Sequence, residues 1–434
     1  MIRRLSRPSK PRWRVDRWLK EAARTARKNL RFWLSHCSDP LEEMQMLSCL
    51  LCGKAGEFRR VLLGPLAAFL VAWSLGAQAQ APQTTMTMEN RGASQTGTAW
   101  PTADGVYTIE NFRFGSGESL QQLRLHYLTL GTPHRDSSGH VDNAVLLLHG
   151  TGGNASSLLA PQFSGVLYGP GQPLDITRYF LILPDDIGHG TSSKPSDGLH
   201  ARFPKYDYDD MVQSQHQMLL DGLHVDHLRL VLGTSMGCME SFVWGETYPG
   251  FADALMPLAC LPVPIAGRNR MMRYMAIKAI EDDSQWHGGE YTTEPMEGLR
   301  TAAELTLVMG SAPLYMQKIA PTKKAAEDYI DDYLAKRVTP LDANDMIYQW
   351  DASRNYDPSA HLDRIQVPVM WINSADDYIN PPELGIAEKF APKLAHGRFV
   401  LIPISDATRG HGTHTQAAVW KDYLVELLKE SEKK

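Results

Sequence analysis

Cysteine is scarce in this chain, with five among 434 residues and three of them before residue 53. That excludes a disulfide-built scaffold, and Cys49-x-x-Cys52 has neither the second pair of a zinc site nor the strand and helix of a redox motif around it. Charge of one sign is also lacking. A formal net charge of -5 and a pI near 6.3 give no overall basic field for nucleic acid. Neither a Walker pattern nor Gly-x-Gly-x-x-Gly occurs, so no phosphate cradle is signalled. Long apolar runs are missing too: the candidate at residues 61–75 falls short of the roughly 20 residues that span a bilayer.

That run has another reading. Arg59-Arg60 precedes it, and Gly76-Ala77-Gln78-Ala79-Gln80-Ala81 follows, which together make the positive, apolar and small-residue regions of a bacterial export signal. Residues 59–81 therefore predict a periplasmic or secreted protein with no stable membrane insertion after signal cleavage. An export signal belongs at the start of a chain, and roughly fifty basic, Trp-bearing residues precede this one, so Met44 or Met46 is the expected true start. Residues 82–104 are rich in Thr, Gln, Gly and Ser and read as a flexible lead-in.

What the sequence does hold is centred on Gly233-Thr234-Ser235-Met236-Gly237. An apolar run leads into it, and a helix-compatible segment ending at Pro249-Gly250 leads out. This is the pattern of a nucleophile elbow: a strand turns so sharply into a helix that Ser235 is strained, and the two glycines remove side chains that would clash. The turn aims the Met236 N–H at a substrate oxyanion. Gly-x-Ser-x-Gly alone is a weak pattern; the flanking strand and helix carry the reading.

Around the elbow, strand-like runs at residues 107–109, 123–130, 144–148, 179–184, 367–372 and 399–402 alternate with helical spacing at 209–223 and 416–428. Such alternation predicts an α/β domain with a mostly parallel sheet and helices on both faces. Between residues 261 and 357 the pattern turns helical and rich in Met, Tyr and Trp. The expected organisation is a basic extension plus export signal at 1–81, the lead-in at 82–104, core at 105–260, a helical cap or lid at 261–357, and core again at 358–434. Trp286, Tyr291, Tyr315, Met316 and Tyr348 in the cap hint at an apolar or aromatic acyl group, against the plainer reading that they form the cap's own core.

A nucleophilic serine needs a base, and the base an orienting acid, in the chain order Ser, acid, His. Asp376 and Asp377 follow the strand at 367–372; Asp377 is preferred for its Asp-x-Ile-x-Pro spacing, with Asp376 as the alternative. His411, between two glycines after the last strand, is the expected base, with His414 as the competitor. The glycine-rich loop His149-Gly150-Thr151-Gly152-Gly153 offers the second oxyanion donor from Gly150 or Thr151, with His149 as a structural residue.

Residues 179–182, 188–195, 203–204, 210–212 and 233–240, with Trp244, Tyr248-Pro249 and Trp286-x-x-Gly289-x-Tyr291, resemble the homoserine O-acetyltransferase family of the α/β-hydrolase superfamily in order and spacing. The resemblance runs from about Gly105 to the C-terminus. It implies an α/β-hydrolase fold with an inserted helical cap, an acetyl-enzyme on Ser235, and acetyl-CoA as donor. Three departures stand out. Thr234 and Cys238 replace glycines, Gly412 replaces an acidic residue, and Ile277 stands where the family carries a substrate-binding Arg, while Arg268, Arg270 and Arg273 do not coincide with that place. Losing that clamp would leave a substrate carboxylate unpaired.

These readings predict an exported serine hydrolase that cleaves a carboxylic ester or related acyl compound. It would need no metal or bound cofactor, with acetyl-CoA entering only as co-substrate if the chain is an acyltransferase. A small-molecule acyl substrate is the expected partner and nucleic acid is not; a homodimer is left open. The alternatives are O-acyl transfer and a ligand-binding protein that kept the fold without turnover.

Overall fold

A computed structural model describes residues 100–432. The export-signal pattern, Met44 and Met46, Cys49-x-x-Cys52 and residues 82–99 lie outside the described residues.

The chain lays down β1 (Ala103–Arg113) and β2 (Ser119–Leu130), then β3 (Ala144–Leu148), β4 (Phe180–Pro184), β5 (Leu230–Thr234), β6 (Leu255–Leu258), β7 (Val369–Ser374) and β8 (Gly397–Ile402). Their order across one sheet is β1-β2-β4-β3-β5-β6-β7-β8. β2 runs against both its neighbours, and β3 to β8 are parallel. Every residue of β3 to β7 is buried, which explains why these strands read as continuous apolar runs: helices cover both faces. Because side chains alternate along a strand, Leu146 and Leu148 of β3 join one core cluster while Val145 and Leu147 join the other.

The helices outside the β6–β7 connection are α1 (Ser164–Leu167), α2 (Tyr208–Gln217) and α3 (Met236–Thr247) before it, then α9 (Ile386–Phe390) and α10 (Ala417–Glu430) after it. Within that connection the chain adds α4 (Gly267–Glu281), α5 (Met296–Gly310), α6 (Pro313–Ile319), α7 (Lys323–Arg337) and α8 (Ala343–Asp351). α8 ties this insertion to the core: Tyr348 Oη donates to the Phe203 carbonyl at 2.6 Å, Gln349 Nε2 to the Gly188 carbonyl at 2.8 Å, and Asp345 accepts from Ser196 Oγ at 2.7 Å. The result is an eight-stranded, mostly parallel sheet flanked by helices, the α/β architecture that the alternation of runs predicts.

Two features differ from the sequence reading. β6 has only four residues and contains Pro257, which argues against a central strand. The sheet absorbs it with a gap: β6 meets β7 at Leu255↔Val369 and Leu258↔Ile372 but not at Pro257, which has no N–H to give. The last residues of the expected flexible lead-in are also docked. Trp100 Nε1 donates to Ser164 Oγ at 2.9 Å, its ring meets Tyr168 edge-on at 5.7 Å, and β1 already begins at Ala103.

Candidate active site

β3 lies between β4 and β5, so the connection from β3 to β4 runs to one side and that from β4 to β5 returns past β3 to the other, a reversal that opens a crevice at the carboxyl ends of β3 and β5. Ser235 stands there, between β5 and α3, at φ 55° and ψ -101°, a backbone region that costs an L-residue roughly 1–3 kcal/mol. The surroundings enforce it. A Cβ on Gly233 would lie 1.8 Å from the Gly237 carbonyl oxygen, and one on Gly237 would lie 2.5 Å from Leu148. Ser235 N–H donates to the Leu258 carbonyl at 2.8 Å and Gly237 N–H to the His149 carbonyl at 3.0 Å, so three strand ends hold the turn. Thr234, one of the departures from the family pattern, fits by donating its Oγ1 hydrogen to the Leu148 carbonyl at 3.2 Å.

The structure brings Ser235, His411 and Asp377 into one hydrogen-bonded run. Ser235 Oγ lies 2.7 Å from His411 Nε2, and His411 Nδ1 lies 2.9 Å from Asp377 Oδ2. Asp377 is 1 % exposed. Burial opposes its charge, yet the His411 ring, the Asn380 amide and the Ile379 N–H outweigh burial and hold its carboxyl below the usual aspartate value. Asp377 Oδ1 accepts from Ile379 N–H at 2.8 Å and from Asn380 N–H at 3.2 Å, while Asn380 Nδ2 donates to Asp377 Oδ2 at 3.0 Å and to the Ala259 carbonyl at 3.0 Å. Asn380 escaped the sequence reading, where it was only the unspecified residue in Asp-x-Ile-x-Pro.

Asp376 serves elsewhere. It accepts from Ser374 Oγ at 2.5 Å, Thr408 Oγ1 at 2.8 Å and Gly410 N–H at 3.1 Å, bracing the loop that carries His411. His414 meets the His411 ring edge-on at 5.2 Å. Burial, with the neighbouring His411 charge, pushes its pKa down to about 3, so it stays neutral.

For the oxyanion, the Met236 N–H makes no hydrogen bond among the described residues. Gly150 borders the serine, since a Cβ on it would lie 3.2 Å from Ser235 Cβ. Thr151 has a buried Oγ1 without a hydrogen-bond partner among the described residues. His149 is fully buried and fixes the loop, with Nδ1 2.9 Å from the Gly150 carbonyl and Nε2 accepting from Asp186 N–H at 3.3 Å. Behind it Gln215 Nε2 donates to Asp186 at 2.5 Å and to Glu240 at 2.6 Å. Burial, then the Asp186 charge, raises the Glu240 pKa well above the ordinary value.

A cavity of about 380 Å³ opens on Ser235 and His411. Its wall comes from the segment leading into the cap, including Leu261, Val263 and Ile265, and from the Asp377 loop, including Tyr378 and Ile379. This corrects the hint drawn from the cap aromatics: Trp286, Tyr291, Tyr315, Met316 and Tyr348 do not line it. Trp286 Nε1 instead donates to Asn344 Oδ1 at 3.0 Å, and Tyr291 Oη accepts from Asn344 N–H at 3.1 Å. Ile277 is buried off the cavity wall, whereas Arg268 and Arg273 line it.

Cys238, on α3, is bonded to Cys260 at the cavity wall. The pairing was not read from the sequence, although these are the two cysteines of the chain beyond residue 52. It closes a loop with a sequence separation of 22 and clasps the elbow helix to the end of β6. Reduction is expected to lower the unfolding free energy by about 3 kcal/mol. Peptide mapping without reductant should recover the linked pair; its absence, or an unfolding midpoint indifferent to reductant, would refute the clasp.

The sequence model of the α/β hydrolase fold family matches residues 143–403. A probable acyltransferase of Methanothermobacter thermautotrophicus is 30% identical over 323 residues, covering 74% of this chain and 96% of the relative. A homoserine O-acetyltransferase of Moorella thermoacetica is 30% identical over 360 residues, covering 72% and 93%. Among solved structures, an acetylester hydrolase from Corynebacterium glutamicum superposes with a TM-score of 0.65 at 20% identity, covering 75% of this chain and 96% of that one.

Proposed function

The chain belongs to the α/β-hydrolase family, with homoserine O-acetyltransferases among its relatives, and from that premise we propose an exported serine esterase that works through an acyl-enzyme. The observation that carries this reading is the run Ser235 Oγ, His411 Nε2, His411 Nδ1, Asp377 Oδ2, with gaps of 2.7 and 2.9 Å, at the mouth of a cavity.

Ser235 Oγ attacks the ester carbonyl while its proton passes to His411 Nε2. Asp377 keeps the imidazole proton on Nδ1 and stabilises the imidazolium. The Met236 N–H and a donor from Gly150 or Thr151 take the charge that develops on the carbonyl oxygen. Collapse expels the alcohol, which receives the His411 proton. A water then attacks the acyl-enzyme, giving one proton to His411 and its oxygen to the acid product, and Ser235 recovers its proton.

Export rests on the sequence pattern at residues 59–81, and the Cys238–Cys260 bond supports it, since disulfides persist in oxidising compartments. The second reading is acyl transfer, in which an alcohol takes the place of water; the acyltransferase names of the 30% identical relatives favour it. Stopped-flow kinetics with 4-nitrophenyl acetate tests both. A burst of one nitrophenolate per chain followed by steady turnover is expected, with acetic acid as product. If added homoserine or another alcohol captures most of the acetyl group, transfer replaces hydrolysis; no burst and no labelling of Ser235 by a fluorophosphonate would remove both.

A further inference from the structure

Three consecutive residues at the end of β6 each hold a different part of the site. The Leu258 carbonyl accepts from Ser235 N–H at 2.8 Å and so fixes the backbone of the nucleophile. The Ala259 carbonyl accepts from Asn380 Nδ2 at 3.0 Å, and the same nitrogen donates to Asp377 Oδ2 at 3.0 Å. Cys260 is bonded to Cys238, which lies in the first turn of α3, directly after Ser235. This backbone is not relaxed. Ala259 sits at φ 68°, in the left-handed region that disfavours a residue with a Cβ, and it is from this turn that its carbonyl reaches Asn380. β7 and its end hold the turn on one side: Ala259 N–H donates to the Ile372 carbonyl at 2.8 Å, and the Cys260 carbonyl accepts from Trp371 Nε1 at 3.0 Å and Asn373 Nδ2 at 3.1 Å. Toward α3, the covalent tie is the Cys238–Cys260 bond.

Cys238 stands where the homoserine O-acetyltransferase pattern has a glycine, so the bond is no part of that pattern. We infer that the Cys238–Cys260 bond is a positioning element of the reaction: by fixing the Ala259 turn against the elbow helix it sets Asn380, and through Asn380 the Asp377 carboxylate that orients His411. Neither cysteine reacts; both act through Ala259 and Asn380. Both are buried, which makes the bond a standing constraint rather than a switch. The expected rate effect rests on the esterase reading, but the effect on the hydrogen bond between His411 and Asp377 does not. The plainer alternative is a bond that adds only stability. Such a bond would lower the unfolding midpoint when broken and leave both the turnover of the folded chain and the His411 hydrogen bond as they were.

The bond can be broken in the full chain in two ways. One is the double substitution Cys238→Ala with Cys260→Ala. The other is dithiothreitol on the natural cysteines, where the dithiol gives two electrons and two protons, closes to a cyclic disulfide and leaves two thiols. Both forms are assayed with 4-nitrophenyl acetate well below their unfolding midpoints. A fall in kcat of about 10–100-fold is expected, the scale of a catalytic group displaced by about an ångström, with KM changed by less than about threefold. Oxidised dithiothreitol should restore the rate of the reduced chain. An unchanged kcat in a folded chain that mass spectrometry shows to lack the bond overturns the inference; if the double variant does not fold, the reduced chain decides. Low-field proton NMR gives a readout independent of turnover. The proton on His411 Nδ1 is identified by its absence in Asp377→Asn. Its loss or upfield shift in a bond-free chain supports the positioning role even if no fluorophosphonate labels Ser235, and a signal that stays in place overturns it.

Discussion

Replacing Ser235 with Ala should lower kcat/KM for a short-chain ester by roughly 10⁵–10⁶-fold while leaving the fold intact. In the proposed mechanism the loss is large because the Ser235 oxygen forms the covalent bond, and without it His411 and the oxyanion donors would have nothing to activate. The fold should survive because the hydrogen bond from Ser235 Oγ runs to His411 alone among the described residues, and the turn is held by backbone bonds to Leu258 and His149 that do not use the side chain. Residual turnover from oriented binding and the oxyanion site is expected to remain above the rate in water. Steady-state kinetics beside a thermal melt decides the point. Activity within tenfold of the parent chain would mean that another group carries the chemistry.

The second large effect separates two adjacent carboxylates. Asp377→Asn should cost about four orders of magnitude in kcat/KM, because the amide cannot hold the His411 proton on Nδ1 and leaves the imidazolium without its charge partner. Asp376→Asn should cost tenfold at most in kcat/KM but roughly 1–3 kcal/mol in stability, since one amide cannot accept from Ser374, Thr408 and Gly410 together. If Asp376→Asn proves the more damaging to catalysis, the roles assigned here are reversed. Melting curves of both chains, measured alongside the kinetics, distinguish a lost orienting acid from a slackened His411 loop.

Whether these carboxylates could be told apart beforehand shows how far the residues alone reach. The elbow was legible because its demands are local: Gly233 and Gly237 flank Ser235, with β5 before and α3 after, all within one short stretch. The buried strands were legible for a similar reason, since burial on both faces leaves no polar position in β3 or β4 and only the terminal Thr234 in β5. β6 was not, because four residues around a proline carry too little pattern, and the sheet keeps the strand by leaving a gap at Pro257. Asp377 could be preferred by spacing but not assigned, because Asp376 sits one residue away and only the direction of each side chain decides which meets His411.

The sequence by itself therefore determined the fold class, the place of Ser235 at the strand-to-helix turn, and the order in which an aspartate and a histidine follow it, since each depends on residue types at short spacing and on the order of strands. Tertiary structure decided the rest. It joined Cys238 to Cys260, placed Asn380 on Asp377, and kept the cap aromatics off the cavity wall. Each of these depends on groups far apart in the chain, or on the direction of one side chain, and short-range spacing carries no record of either.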